Sequence, residues 1–138
     1  MEVTTKSAAE TQSLGQKIGL DLKPGRLLAL YGELGSGKTT FIQGLAKGLG
    51  IKKRILSPTF VFIRPYSLSP QGTFYHVDLY RLNEVSEATG LGLEEIFADP
   101  EAITVIEWAE RIKPILPQKR REIFFEYLGD NQRRIKIK

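Results

Sequence analysis

The sequence predicts a three-layer α/β fold with a mixed central sheet and inserted β-hairpins, and three features predict it. The first is Gly32-Glu33-Leu34-Gly35-Ser36-Gly37-Lys38-Thr39-Thr40, a glycine, four residues, then glycine, lysine and a hydroxyl residue. It lies between the apolar run Leu27-Leu28-Ala29-Leu30-Tyr31 and the helix-forming Phe41-Ile42-Gln43-Gly44-Leu45-Ala46, the strand and helix that this phosphate-binding pattern requires. The second is a pair of β-branched and aromatic stretches, residues 59–64 and 73–78, separated by a turn. The third is a pair of apolar runs that each end in an acid, Tyr75-His76-Val77-Asp78 and Ile103-Thr104-Val105-Ile106-Glu107. In open α/β sheets ligands bind outside the carboxyl ends of the strands, where both acids would be found. Together these features describe a P-loop NTPase-like core.

At 138 residues the chain is expected to form one domain, residues 1–138, with a sizeable core. Hydrophobic residues at 41% and charged ones at 26% are ordinary globular values and exclude disordered and membrane-embedded classes. With no cysteine there is neither a disulfide framework nor a thiolate metal site. No signal-peptide pattern opens the chain and no apolar run is long enough to span a bilayer, so a soluble cytoplasmic protein without a membrane partner is expected. The net charge of +4 is mild, but basic residues gather late, at Arg111, Lys113, Lys119 to Arg121, Arg133, Arg134, Lys136 and Lys138. Such a run is either a solvated edge that guards against strand aggregation or a face for RNA phosphates or an acidic protein. No stacking-aromatic RNA module accompanies it.

Taken in order, Ser7-Ala8-Ala9-Glu10 has capping-box spacing and is followed by Leu14 and Ile18 at helical intervals. A first helix over about 7–20 follows, its start a candidate neighbour of a nucleotide base. Lys23-Pro24-Gly25 turns into a strand over 26–31. Beyond the phosphate loop, Phe41, Leu45 and Leu49 share one helix face, and Gly50 is placed to cap it. Residues 59–64 predict a strand that Pro65 ends or confines to an edge. Ser69-Pro70-Gln71-Gly72 turns the chain into a strand over 73–78, completing an antiparallel hairpin inserted into the α/β core. Residues 83–97 predict short helices broken at Gly90 and Gly92, with Leu91, Leu93, Ile96 and Phe97 packing inward. The tail predicts a second hairpin, turning at Gly129-Asp130-Asn131.

The phosphate loop assigns chemistry by residue type. Glycines at 32, 35 and 37 let the backbone approach phosphate oxygens, and the loop N–H groups with the helix N-terminus form an anion cradle. Lys38 supplies a point charge to the terminal phosphates, Thr39 a hydroxyl for magnesium, and Thr40 a hydrogen bond to the next phosphate. Magnesium needs further hard oxygens. Asp78 and Glu107 are the candidates: one holds the metal, directly or through water, and the other orients or deprotonates the attacking water. His76, the only histidine, reads as a structural or supporting residue rather than the base, and faces the same way as Asp78. Trp108, the only tryptophan, is either a core residue or a platform near the nucleotide. Ser57-Pro58-Thr59 is either a hydroxyl-bearing switch that senses the terminal phosphate or a turn before a strand.

These residues resemble the TsaE (YjeE) family of small bacterial ATPases. The resemblance rests on the phosphate loop through Phe41, on Ser57-Pro58-Thr59-Phe60, on His76-Val77-Asp78-Leu79-Tyr80-Arg81-Leu82, and on Val105-Ile106-Glu107-Trp108, in family order and spacing. It implies ATP and Mg2+ as ligands, and an ATPase needed with TsaB and TsaD to install threonylcarbamoyl on the adenosine beside the anticodon of ANN-decoding tRNAs. TsaD would do the modification chemistry and the ATPase would reset or drive the complex, through which tRNA is met. The resemblance further implies that Leu34, Gly35, Ser36, Gly37, Lys38 and Thr39 cradle phosphate and that Thr39 and Glu107 are the magnesium ligands. By the same resemblance Asp78 and Trp108 matter for activity and Ser57-Pro58-Thr59 is a switch loop. The family's C-terminal hairpin lies near the base, a correspondence that residues 130–133 carry without a strict motif.

Rival readings have weaker support. A small-molecule kinase needs an acceptor pocket and a lid with arginines; Arg81, Arg111 and the tail could be recruited, but no acceptor signature is visible. No Asn-Lys-x-Asp motif occurs to read a guanine base. A nucleotide-dependent binding module would signal by occupancy rather than turnover. With no arginine finger at a motif position, slow hydrolysis by the isolated chain is expected.

Overall fold

Seven strands form one sheet in the order β1-β7-β6-β2-β5-β4-β3 in a computed structural model that describes residues 1–56 and 62–138. The strands are β1 (Glu2–Thr5), β2 (Leu27–Tyr31), β3 (Ile63–Ser67), β4 (Thr73–Asp78), β5 (Ala102–Glu107), β6 (Arg121–Gly129) and β7 (Gln132–Ile137). The central run β6-β2-β5-β4 is parallel, while β7, β1 and β3 join antiparallel. Each of the two expected hairpins therefore gives one strand to the parallel centre and the other to the flank of the same sheet.

The near-continuous apolar character of β2 follows from helices covering both faces. On one face Leu28 and Leu30 pack with Phe41, Leu45, Val105 and Ile135, under helices α1 (Ala8–Asp21) and α2 (Lys38–Gly48). On the other, Leu27 and Ala29 meet Val77, Leu93, Ile106 and Ile112. That layer is built from α3 (Val85–Gly90), α4 (Leu93–Ala98) and the 3-10 helix Ala109–Ile115. No helix among the described residues is long and apolar enough to cross a membrane.

The helix caps form where expected, although the Glu10 carboxylate accepts from the Lys6 N–H rather than closing a capping box on Ser7. Ser7 caps α1, its Oγ accepting from the Glu10 N–H at 3.1 Å. Gly50 takes φ +82° just past α2, and its N–H donates to the Lys47 carbonyl at 3.0 Å. The two helices touch backbone to backbone. A methyl group on Gly44 would stand 1.9 Å from the Gln12 carbonyl oxygen, and one on Gly15 would stand 2.2 Å from that of Phe41. This contact anchors α2, and with it the phosphate loop.

Two elements differ from expectation. Strand β1 is unforeseen: four residues carry too little alternation to announce a strand, and pairing with β7 makes it one. The Met1 ammonium donates to the Ile137 carbonyl at 3.0 Å, and the buried hydroxyls of Thr5 and Thr11 lie 2.7 Å apart. The strand expected over 59–64 starts at Ile63 and continues through Pro65 to Ser67, with residues 57–61 outside those described. Pro65 is tolerated inside β3 because, among the described residues, that strand is an edge paired only with β4. Phe62, at φ +62°, turns the chain into β3 while its carbonyl accepts from the Asp78 N–H at 2.8 Å.

Candidate functional site

The carboxyl ends of β2, β4 and β5 and the start of α2 surround a cleft of about 360 Å3. Its lining is Leu34, Gly35, Ser36, Gly37, Lys38, Thr39, Thr40, Asp78, Tyr80, Glu107, Trp108 and Arg133. The predicted phosphate loop is there from Leu34 to Thr40, joined by both acids and the tryptophan, while Gly32 and Glu33 lie outside the lining. Gly37 takes φ +104° immediately before α2, a left-handed conformation that favours glycine. The first turn of a helix leaves its N–H groups without intrahelical acceptors, so Lys38, Thr39 and Thr40 present donors to the cleft. The buried Ser36 Oγ has no hydrogen-bond partner among the described residues.

Lys38 is 5% exposed, and its ammonium donates to the carbonyls of Gly32 and Glu33. Burial pushes that ammonium below the ordinary lysine range, against the opposing pull of Glu107, Glu110, Asp78 and Glu33. Its Nζ lies 3.9 Å from the centroid of the Trp108 ring. Trp108 occupies φ +60°, ψ +42°, a conformation strained for a bulky residue, at the junction of β5 and the 3-10 helix. The Arg111 guanidinium lies 5.5 Å from the same ring and donates to the Leu82 carbonyl at 3.0 Å. Tyr80 packs beside it at a centroid distance of 5.2 Å. Trp108 is thus half-buried and serves the cleft as a platform for cations.

The acids arrive by strand register. Asp78 on β4 is the partner of Glu107 on the parallel strand β5, so the two stand side by side. The Thr39 hydroxyl donates to Glu107 Oε1 at 3.4 Å, and His76 Nε2 lies 2.7 Å from Glu107 Oε2. Asp78 Oδ1 accepts from the Tyr80 N–H at 3.0 Å. The donor set of Thr39, Glu107 and Asp78 is all hard oxygen. Among the described residues no cluster of three or more His, Cys, Asp or Glu could hold a metal by itself. Oxygen donors of this kind are the type that Mg2+ takes, with waters and phosphate oxygens completing its shell.

Tyr80 was not foreseen in the cleft, and Arg133 was foreseen only through the resemblance of the C-terminal hairpin over residues 130–133. Tyr80 sits inside a motif stretch but carried no chemical signal of its own. Arg133 was one of many cations in the tail, and only the pairing of β7 with β6, beside β2, brings it to the loop. A methyl group on Gly37 would stand 2.7 Å from Arg133 Cδ and Nε, and 3.7 Å from Thr11 Cγ2. The start of α1 is therefore also a neighbour of the loop. Arg133 Nη1 donates to the Asn131 carbonyl at 2.9 Å, while its buried Nε has no partner among the described residues. Other tail cations are committed to ion pairs, Arg134 with Glu2 and Glu126 and Arg120 with Glu122. Ser57, Pro58 and Thr59 lie outside the described residues.

Residues 5–135 match the family model described as threonylcarbamoyl adenosine biosynthesis protein TsaE. Relatives named tRNA threonylcarbamoyladenosine biosynthesis protein TsaE include one from Bacillus subtilis (strain 168), 41% identical over 133 residues, which are 95% of this chain and 80% of that protein. Another, from Treponema pallidum (strain Nichols), is 36% identical over 137 residues, 99% of each chain. The crystal structure of Bacillus subtilis YdiB superposes with a TM-score of 0.81 at 36% identity, covering 99% of this chain and 83% of that one. With a family match over residues 5–135 and relatives 36–41% identical over nearly the whole chain, the chain belongs to the TsaE family.

Proposed function

We propose that this chain is a cytoplasmic, magnesium-dependent ATPase that acts with TsaB and TsaD in the biosynthesis of threonylcarbamoyladenosine in ANN-decoding tRNAs. One observation carries the reading: Lys38, Thr39, Asp78 and Glu107, drawn from three separate segments, converge on a single cleft. Free donors at the start of α2 bind the phosphates, and Lys38 turns from the carbonyls of Gly32 and Glu33 to the outer ones. Thr39 Oγ1 and Glu107 Oε1, which face one another, would hold the ion. Bound magnesium supplies charge neutralisation at the outer phosphates. Asp78, the register partner of Glu107 one strand over, accepts a proton from the attacking water and orients it.

Trp108 and Tyr80 line the cleft beside the phosphate loop, and Ser57-Pro58-Thr59 serves as the phosphate-sensing switch. Arg133 is the arginine among the described lining residues, and it is held by the Asn131 carbonyl and lies 5.3 Å from the Tyr127 ring. With no arginine finger at a motif position, the site turns over slowly until a partner completes it. The chain, acting as one domain, then changes the state of the assembly, with tRNA met through that assembly.

The test is phosphate release by the purified chain, alone and with TsaB, TsaD and unmodified tRNA, scored together with threonylcarbamoyladenosine. Release that rises with the partners and sustains repeated rounds of modification is the expected result. Release that ignores the partners and responds to a small-molecule acceptor would make the chain a kinase instead.

A further inference from the structure

We propose that His76 is a positioning residue of the metal site: its Nε2–H holds Glu107 Oε2, so that Oε1 is turned toward Thr39 and the cation. The inference rests on the magnesium-dependent reading above. Within β4, His76 precedes Asp78 by two residues and so shares its face of the sheet, and across the sheet its register partner is Val105, two residues before Glu107. The imidazole is therefore one pleat below the two acids, on the face that α2 covers, and reaches Glu107 diagonally.

Its surroundings are dry. His76 is 0% exposed and Glu107 3% exposed. Burying a polar ring is unfavourable unless it is hydrogen-bonded, and among the described residues this ring makes one such contact, the 2.7 Å approach of Nε2 to Glu107 Oε2. Nδ1 is buried with no partner among the described residues. The next residue down the same face, Phe74, shows what plain packing uses there. An imidazole whose other nitrogen has no partner among the described residues is a poor filler by comparison, so its bond to Glu107 carries its role. That bond divides the carboxylate: Oε2 belongs to His76, and Oε1 stands 3.4 Å from Thr39 Oγ1. Without it Glu107 can rotate, and the buried Lys38 ammonium in the same cleft is a competing partner. Histidine-to-carboxylate support of this kind typically changes metal affinity by about 10- to 100-fold.

Because His76 is the only histidine, a nitrogen-15 spectrum of the imidazole reports on this residue alone. The expected spectrum is that of an Nε2–H tautomer with a slowly exchanging proton, shifted by Glu107→Gln. An Nδ1–H tautomer, or a resonance that Glu107→Gln leaves in place, overturns the proposal. The second arm is Mn2+ binding in the presence of ADP, read by electron paramagnetic resonance without turnover. His76→Leu should weaken it about tenfold or more, leave metal-free ADP affinity unchanged, and be largely rescued by His76→Gln, which restores an N–H near the Nε2 position. If His76→Leu does not fold, His76→Asn, too short to reach Glu107, takes its place. Binding lost in Glu107→Gln but kept in His76→Leu overturns this proposal alone. Binding that Glu107→Gln leaves untouched overturns the magnesium assignment and this proposal with it.

Discussion

The ammonium of Lys38 rests 3.9 Å from the centre of the Trp108 ring, with the carbonyls of Gly32 and Glu33 as its hydrogen-bond acceptors. The cation that the phosphate loop offers to a ligand is thus held by its own loop and by the chain's single tryptophan. A bound triphosphate draws it away, and the indole loses its charged neighbour. Tryptophan fluorescence should therefore change on titration with ATP, and Lys38→Ala should abolish both the change and tight binding. A flat titration, alongside binding measured calorimetrically, would remove Trp108 from the nucleotide site.

Asp78 and Glu107 share a register position but have different partners, and they should fail differently. Asp78→Asn should lower turnover by about 100-fold or more, the range of lost general-base assistance, with nucleotide and metal binding nearly intact. Glu107→Gln should lower turnover and raise the Mg2+ concentration needed for half-maximal rate. Steady-state kinetics across a magnesium series separates the two, and unchanged turnover in both variants would sink their assignment.

Gly44 stands where α2 meets the backbone of α1, and a methyl group there would be 1.9 Å from the Gln12 carbonyl oxygen. Because the atom it meets is backbone, Gly44→Ala must push the helices apart. The expected loss is ~1–3 kcal/mol, as for overpacked cores. Since α2 begins at the phosphate loop, nucleotide affinity should fall as well. Chemical denaturation and ADP calorimetry on the same variant test both effects, and a wild-type stability would show that the helix pair has slack.

Tyr31 donates to Glu122 Oε2 at 2.8 Å. Burial first, then the bond to Glu122 and its charge, push the phenol up to about 12, from an ordinary value of about 10. A folded-state pKa above the unfolded one stabilises the fold fully below the unfolded value. That contribution is lost as pH rises from about 10 through about 12. Wild type should therefore lose stability over this window faster than Tyr31→Phe, and one of the five tyrosines should ionise late in an ultraviolet titration. Parallel stability curves for the two proteins would refute the shift.

The amino-acid order by itself determined the phosphate loop, the helix cap at Ser7, the hairpin turns and the acids at the ends of β4 and β5. Each rests on chemistry within a few residues: glycine conformations, a capping hydroxyl, or an apolar run that stops at a charge. Only tertiary structure decided which side chains meet. Arg133 reaches the loop because β7 returns beside β6, and β6 lies against β2. β1 exists because β7 offers it an edge. His76 meets Glu107 because two parallel strands, separated by two helices in sequence, settle in one register. Strand pairing is a non-local property of hydrogen bonding and burial, which local residue patterns do not encode one contact at a time.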